Sequence, residues 1–212
     1  MSNNKSVWDF FEVIYCLNQD SRPDRWEQAK EELSRAKMER VERFASLPAD
    51  QPIKSFCLSQ YAMLKSFLAT GKQTLLALED DVVFHDLGHL PTALKDLPKG
   101  WDILYLGANI TGMVTGIKDF PPRQITPTIY QVYRAWTTHA VAYTRECAAR
   151  IVSLFNPEAM YDAWLSEVIL PACNAYIVNP MVAWQRPGKS DLWGTDTDYT
   201  GAFAEGNKIM SI

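Results

Sequence analysis

The chain has 212 residues, 47% of them hydrophobic and 22% charged, with a formal net charge of −4 and a pI of about 5.4. That length and composition fit one α/β domain with a real core and exclude disorder as the default state. The mildly acidic balance argues against nucleic acid as the main partner, because phosphate backbones need clustered Lys and Arg, and no apolar run reaches the length of a membrane span.

Glu12 to Leu17 predicts the first strand, broken at the turn-prone Asn18-Gln19-Asp20-Ser21. Ser21, Pro23 and Asp24 then supply a capping hydroxyl, a first-turn proline and an early acid. The helix they start shows Trp26, Ala29, Leu33, Ala36 and Val41 near one face. Val41 to Ser46 is a short second strand. Pro52 opens a helix with Ile53, Phe56, Cys57, Tyr61, Leu64 and Leu68 at helical spacing, and Gly71 suits its C-terminal cap.

Thr74-Leu75-Leu76-Ala77-Leu78 reads as a strand buried on both faces, closed by Glu79-Asp80-Asp81. Three carboxylates at the carboxyl end of such a strand are costly without a positive partner, and this is where open α/β sheets bind ligands. A divalent cation is the expected partner, and through it a phosphate. Pro91 to Leu97 predicts a short helix and Trp101 to Gly107 a strand. Ala108 to Thr128, rich in glycine and proline, reads as a surface loop or small hairpin.

Ile129–Tyr133 and His139–Tyr143 alternate like antiparallel strands. Arg145–Phe155 and Tyr161–Ile169 read as helices, the second ended by Pro171, and Ala175–Val182 as the last strand. From Arg186 onward an irregular tail is expected. Cys16, Cys57, Cys147 and Cys173 have no metal-ligand spacing and lie among apolar residues, so free thiols in a reducing compartment are expected. The order β-α-β-α-β-α-β followed by a more antiparallel half predicts a mostly parallel, Rossmann-like central sheet flanked by helices, with a smaller mixed region beside it.

Four segments carry a resemblance: Leu17-Asn18-Gln19-Asp20-Ser21-Arg22-Pro23-Asp24-Arg25, Cys57-Leu58-Ser59-Gln60, Leu78-Glu79-Asp80-Asp81-Val82 and Trp101-Asp102-Ile103-Leu104-Tyr105-Leu106-Gly107. In this order they are similar to the NLDRRPDR, ALSH, LEDDV and WDLLYLG segments of glycosyltransferase family 25, the enzymes of lipopolysaccharide and collagen sugar transfer. Gln19, Ser21 and Gln60 depart from that pattern. The resemblance implies a GT-A fold over residues 1–212, with a nucleotide-binding half over about 1–107 and an acceptor half over about 108–212. It also implies inverting transfer of a hexose from a nucleotide sugar, UDP-linked, to a glycan or glycoprotein hydroxyl, with Mn²⁺ or Mg²⁺ as cofactor. A cytoplasmic location is the matching expectation.

Candidate site residues follow. Asp81 and Glu79 are the expected metal ligands, and hard carboxylate oxygens suit these ions. Leu17, Asn18, Arg22, Arg25, Ser59 and Asp80 are the nucleotide-binding set, with Arg22 and Arg25 at a helix start that favours anions. Asp162, which matches an acid of the family's Asp-x-Trp-Leu segment, is the candidate general base; a first-turn acid favouring the helix dipole is the competing reading. His139, Trp164, Arg186 and Asp191 are assigned to the donor sugar and acceptor, although a lone His among apolar residues equally suits a core. A sugar nucleotidyltransferase would need a glycine-rich phosphate loop near the first strand, and none is present. A non-catalytic sugar-binding domain of the same fold is the third reading.

Overall fold

A computed structural model of the chain describes residues 6–111 and 119–211. Its strands are β1 (Val13–Asn18), β2 (Glu42–Ala45), β3 (Thr74–Glu79), β4 (Val82–Phe84), β5 (Ile103–Tyr105), β6 (Arg123–Thr126), β7 (Ile129–Gln131), β8 (Ala140–Thr144), β9 (Ala175–Val178), β10 (Ala183–Gln185), β11 (Gly188–Lys189) and β12 (Asp196–Thr197). Its helices are α1 (Pro23–Arg35), α2 (Pro52–Ala69), α3 (Leu90–Asp96), α4 (Arg145–Leu154), α5 (Tyr161–Trp164) and α6 (Thr200–Ile209).

The main sheet has the order β2-β1-β3-β8-β5-β9-β7-β6, and only β8 and β7 run against the rest. Alternate residues of each strand enter opposite core layers, as the two-residue period requires. Tyr15, Ala77, Tyr105, Val141 and Ile177 face the layer built by α2 and α4. Cys16, Leu78, Leu104, Ala142 and Val178 face the layer built by α1 and α3. β1-α1-β2-α2-β3 thus places α1 and α2 on opposite faces, with both N-termini at the carboxyl edge of the sheet.

The helix predicted from spacing forms, with its buried face turned slightly: of the expected residues Cys57 and Leu64 are buried and Ile53, Phe56, Tyr61 and Leu68 half-buried, while Gln60, Met63 and Phe67 complete the buried face, and Gly71 follows the helix at φ 74°. The predicted strand at 175–182 ends at Val178, before the Asn179–Pro180 pair. Pro171 does not stop its helix at once. α5 continues through a π-helical turn, Leu165–Ile169, into a 3₁₀ turn, Leu170–Ala172, where proline occupies an early position that needs no backbone donor. Part of the predicted 108–128 loop lies outside the described residues; its far end is the hairpin β6–β7.

The C-terminal stretch is not an irregular tail. β10 pairs with β4, β11 with β12, and α6 buries Phe203 and Gly206. Two contacts distant in sequence set α6: the Phe203 ring lies 5.7 Å from that of Trp184, and Gly206 lets the helix approach Met181 and Ile110, whose atoms a Cβ would meet at 2.7 and 3.1 Å.

Candidate active site

A cavity of about 440 Å³ opens at the carboxyl edge, lined by the ends of β1 and β3, the N-terminal turns of α1 and α2, Thr137–Thr138 before β8, Met160–Asp162 at α5, and the strap 185–193 that leaves β10. Leu17, Asn18, Arg22, Arg25, Glu79, Asp80, Asp81, Asp162, Arg186 and Asp191 all line it. These residues come from four stretches of the chain, 17–25, 79–81, Asp162 and 186–191, and the first two meet because β1 and β3 lie side by side.

The positive partner of the acidic triplet is Arg25. Its Nη2 lies 2.6 Å from Asp80 Oδ1 and 2.7 Å from Asp81 Oδ2. Burial works against the Arg25 charge, but Asp81, Asp80 and Asp191 outweigh it and raise the guanidinium above its ordinary range. Asn18 Nδ2 donates to Asp80 Oδ2 at 2.7 Å and to the Arg22 carbonyl at 3.1 Å, while Arg43 Nε donates to Asn18 Oδ1 at 2.8 Å. Asp80 is thus fixed from two sides. Burial still pushes its carboxyl up to about 6, against the pull of Arg25 and Asn18. Glu79 accepts from the Thr138 hydroxyl at 2.8 Å, and burial together with the Asp81 charge raises it well above the usual carboxylate range.

Asp81 Oδ1 and Gln185 Oε1 are buried oxygens without a hydrogen-bond partner among the described residues. Buried acceptors are ordinarily satisfied; these two side chains are neighbours, with Gln185 Nε2 3.5 Å from Asp81 Oδ2, and both line the cavity with acceptor capacity unused. The all-oxygen donor set suits a hard divalent cation. Among the described residues no three acidic, imidazole or thiol side chains converge into a ready-made ligand cage. The site therefore fits an ion that takes one or two carboxylates and completes its shell from phosphate and water, as Mg²⁺ does.

Asp162 stands apart from Arg25. It accepts backbone N–H groups from Ala163 at 2.9 Å and Thr137 at 3.4 Å, and burial raises its carboxyl above the ordinary range despite those bonds. Thr137, a β-branched residue at φ 69°, is a strained corner next to it. Arg186 anchors the strap: its N–H donates to the Asp81 carbonyl at 2.7 Å and its Nη1 to Gln28 Oε1 at 2.8 Å.

Three sequence candidates are not brought to the cavity. The Ser59 hydroxyl is used inside the fold, donating to the Ser55 carbonyl and accepting from the Leu47 N–H. His139 is fully buried, with Nε2 3.0 Å from the Ala183 carbonyl and its ring edge-on to Phe203; burial lowers its pKa. Trp164 packs against Tyr161 and Phe155. Conversely, Pro52, Ile53, Phe56 and Met160 form an apolar part of the lining; the sequence marked Pro52 as the start of α2 and Ile53 and Phe56 as its face, and gave Met160 no role. For Pro52, Ile53 and Phe56 the available signal was their place in the first two turns of α2, at the sheet's carboxyl edge; Met160 caps α5.

No family model and no curated protein matches the chain. Among solved structures, A197 from STIV is 12% identical over 87% of this chain and 91% of its own, with a TM-score of 0.50. A glycosyltransferase involved in the glycosylation of the major capsid of PBCV-1 is 13% identical over 94% and 98%, with a TM-score of 0.49. A UDP-glucose pyrophosphorylase complexed with UDP-glucose is 8% identical over 92% and 80%, with a TM-score of 0.45. At such identities the likeness is one of fold, and the α/β architecture with helices on both faces of a largely codirectional sheet is what it establishes.

Proposed function

We propose that the protein is a metal-dependent glycosyltransferase that moves a hexose from a nucleoside-diphosphate sugar, UDP-linked, to a hydroxyl of a glycan or glycoprotein, with inversion. One observation carries this reading: a single cavity holds an acidic strand end, two arginines at a helix N-terminus, and a separate buried carboxylate with raised proton affinity. The first two features suit a diphosphate and its counter-cation. The third suits a base.

The apolar lining at Pro52, Ile53, Phe56 and Met160 suits the nucleobase. Arg22 and Arg25 suit the diphosphate, with the α1 N-terminus adding backbone dipoles. Asp81 would hold Mn²⁺ or Mg²⁺, with Glu79 as second ligand and Gln185 Oε1 within the same group, and the ion would supply Lewis-acid stabilisation of the leaving diphosphate. Asp162 takes the acceptor hydroxyl proton as the acceptor oxygen bonds to the anomeric carbon. The bond from that carbon to the phosphate oxygen breaks, and its electron pair leaves with the diphosphate. Arg186 and Lys189 on the strap add charge facing the leaving group.

The test is calorimetry with UDP and Mn²⁺. UDP is expected to bind with the metal and to weaken by at least about tenfold when the metal is removed or Asp81→Ala is made, the scale of a lost ligand or its support. Equal UDP affinity with and without metal would overturn metal dependence. Release of free sugar from a panel of nucleotide sugars then identifies the donor.

A further inference from the structure

The strap carries one acid whose partners are not its own. Asp191 is clasped by both arginines of the α1 N-terminus: Arg22 Nη1 lies 2.6 Å from Oδ1 and 2.7 Å from Oδ2, and Arg25 Nη1 lies 3.1 Å from Oδ2. Asp24 holds the other edge of Arg22, through Nε at 3.0 Å and Nη2 at 2.8 Å, so Nη1 stays aimed at Asp191. The two cavity arginines already bind an anion, and that anion belongs to the chain itself.

A carboxylate and a phosphoryl group offer a guanidinium the same thing, paired oxygens that accept from a planar fork. Of the three acids on Arg25, Asp80 and Asp81 belong to the end of β3, which the sheet fixes. Asp191 belongs to a short strap whose start is anchored separately by Arg186, to the Asp81 carbonyl and to Gln28. Its release needs no change in the sheet. The side chains of Asp191 and Arg22 are each 26% exposed, so water can assist an exchange, and such part-solvated pairs are weak. A diphosphate, with more charge and more oxygens, outcompetes one carboxylate on the same two arginines.

We propose that Asp191 is a built-in stand-in for the diphosphate: it latches the strap onto Arg22 and Arg25 in the empty protein, and the arriving diphosphate displaces it and frees the strap at Asp191. Lys189 and Trp193, which line the cavity on either side of Asp191, then change their surroundings. This rests on the reading that the cavity takes a diphosphate, and not on the transfer reaction.

The probe is inorganic pyrophosphate, measured by calorimetry on the full chain in buffer without divalent ions. Asp191→Asn is expected to bind it up to about fivefold more tightly than wild type, the scale of removing one part-exposed competing ion pair. Glu205→Gln makes the same charge change on the exposed side of α6, outside the cavity lining, and is expected to show no gain. Arg22→Gln is expected to lose binding with either residue at 191. The Trp193 contribution to fluorescence, taken by difference from Trp193→Phe, should shift on adding pyrophosphate to wild type and should start near the shifted value in Asp191→Asn. Unchanged or weaker binding in a folded Asp191→Asn, or an equal gain in Glu205→Gln, overturns the latch. If Asp191→Asn gains affinity while no nucleotide sugar is turned over, the latch stands and the transferase reading falls.

Discussion

Asp80 and Asp162 are two carboxylates in one cavity with opposite company. Asp80 is held by Asn18 and Arg25, whereas Asp162 meets only backbone N–H groups among the described residues. A carboxylate that must take a proton gains from a raised pKa and from freedom from a permanent cation. Asp162 has both, so Asp162→Asn should keep nucleotide binding and lose at least about 100-fold in turnover, the range of a lost general base. Its pKa is raised by burial, so the acid limb of kcat should lie above the ordinary aspartate range, with turnover falling as pH drops through it. The stability sign is opposite. A carboxyl raised in the folded state stabilises the fold at low pH, and that contribution is lost as pH rises from the unfolded to the folded pKa. Asp162→Asn should therefore melt no lower than wild type at pH 7, and thermal unfolding alongside turnover checks both halves. A variant that melts lower and keeps turnover would assign Asp162 to the fold alone.

At the scale of elements, the strap depends on a contact that a glycine makes possible. Gly107, just past β5, lies against β10, and a Cβ there would stand 1.7 Å from the Ala183 carbonyl oxygen. The neighbour is backbone and cannot rotate away. Gly107→Ala should cost at least about 3 kcal/mol, at the upper end of overpacking effects, and lower Tm by roughly 10 °C. Thermal unfolding reads it, and an unchanged Tm would mean that β10 shifts freely. This contact explains what the sequence did and did not disclose. The elements with strong local periodicity, α2 and the buried run of β3, were legible because each buries its own residues in a regular pattern. β4, β10 and α6 were not, since each is short and is specified by a partner distant in sequence: β4 by β10, and α6 by Trp184, Met181 and Ile110. The site divided along the same line. Glu79-Asp80-Asp81 announced itself by placing charge at the end of an apolar strand. That Arg25 neutralises it, and that Asp191 in turn occupies Arg25, are long-range pairings that no local spacing encodes.

For the molecule as a whole, the cavity is the place where folding leaves electrostatics unfinished. Two deeply packed layers complete the sheet on both faces, while Glu79 and Asp80 are held with raised pKa values and Asp81 Oδ1 has no partner among the described residues. On the proposed reading, a bound cation would relieve the carboxylates, and a bound diphosphate would occupy Arg25, which Asp80 and Asp81 share, and Arg22 beside it. Each ligand removes a partner that the other would otherwise have to compete with, so the two should bind cooperatively. Ligands that bind only the native state stabilise it by mass action, about 2.7 kcal/mol at a hundredfold excess over Kd. For a domain of this size that corresponds to a rise in Tm of roughly 5–10 °C. UDP and Mn²⁺ together should raise Tm by this amount and by more than the sum of their separate shifts, and EDTA should return the Tm to that of UDP alone. A full shift that survives EDTA would mean that Arg22 and Arg25 hold the diphosphate unaided and that the acidic strand end serves only to position Arg25.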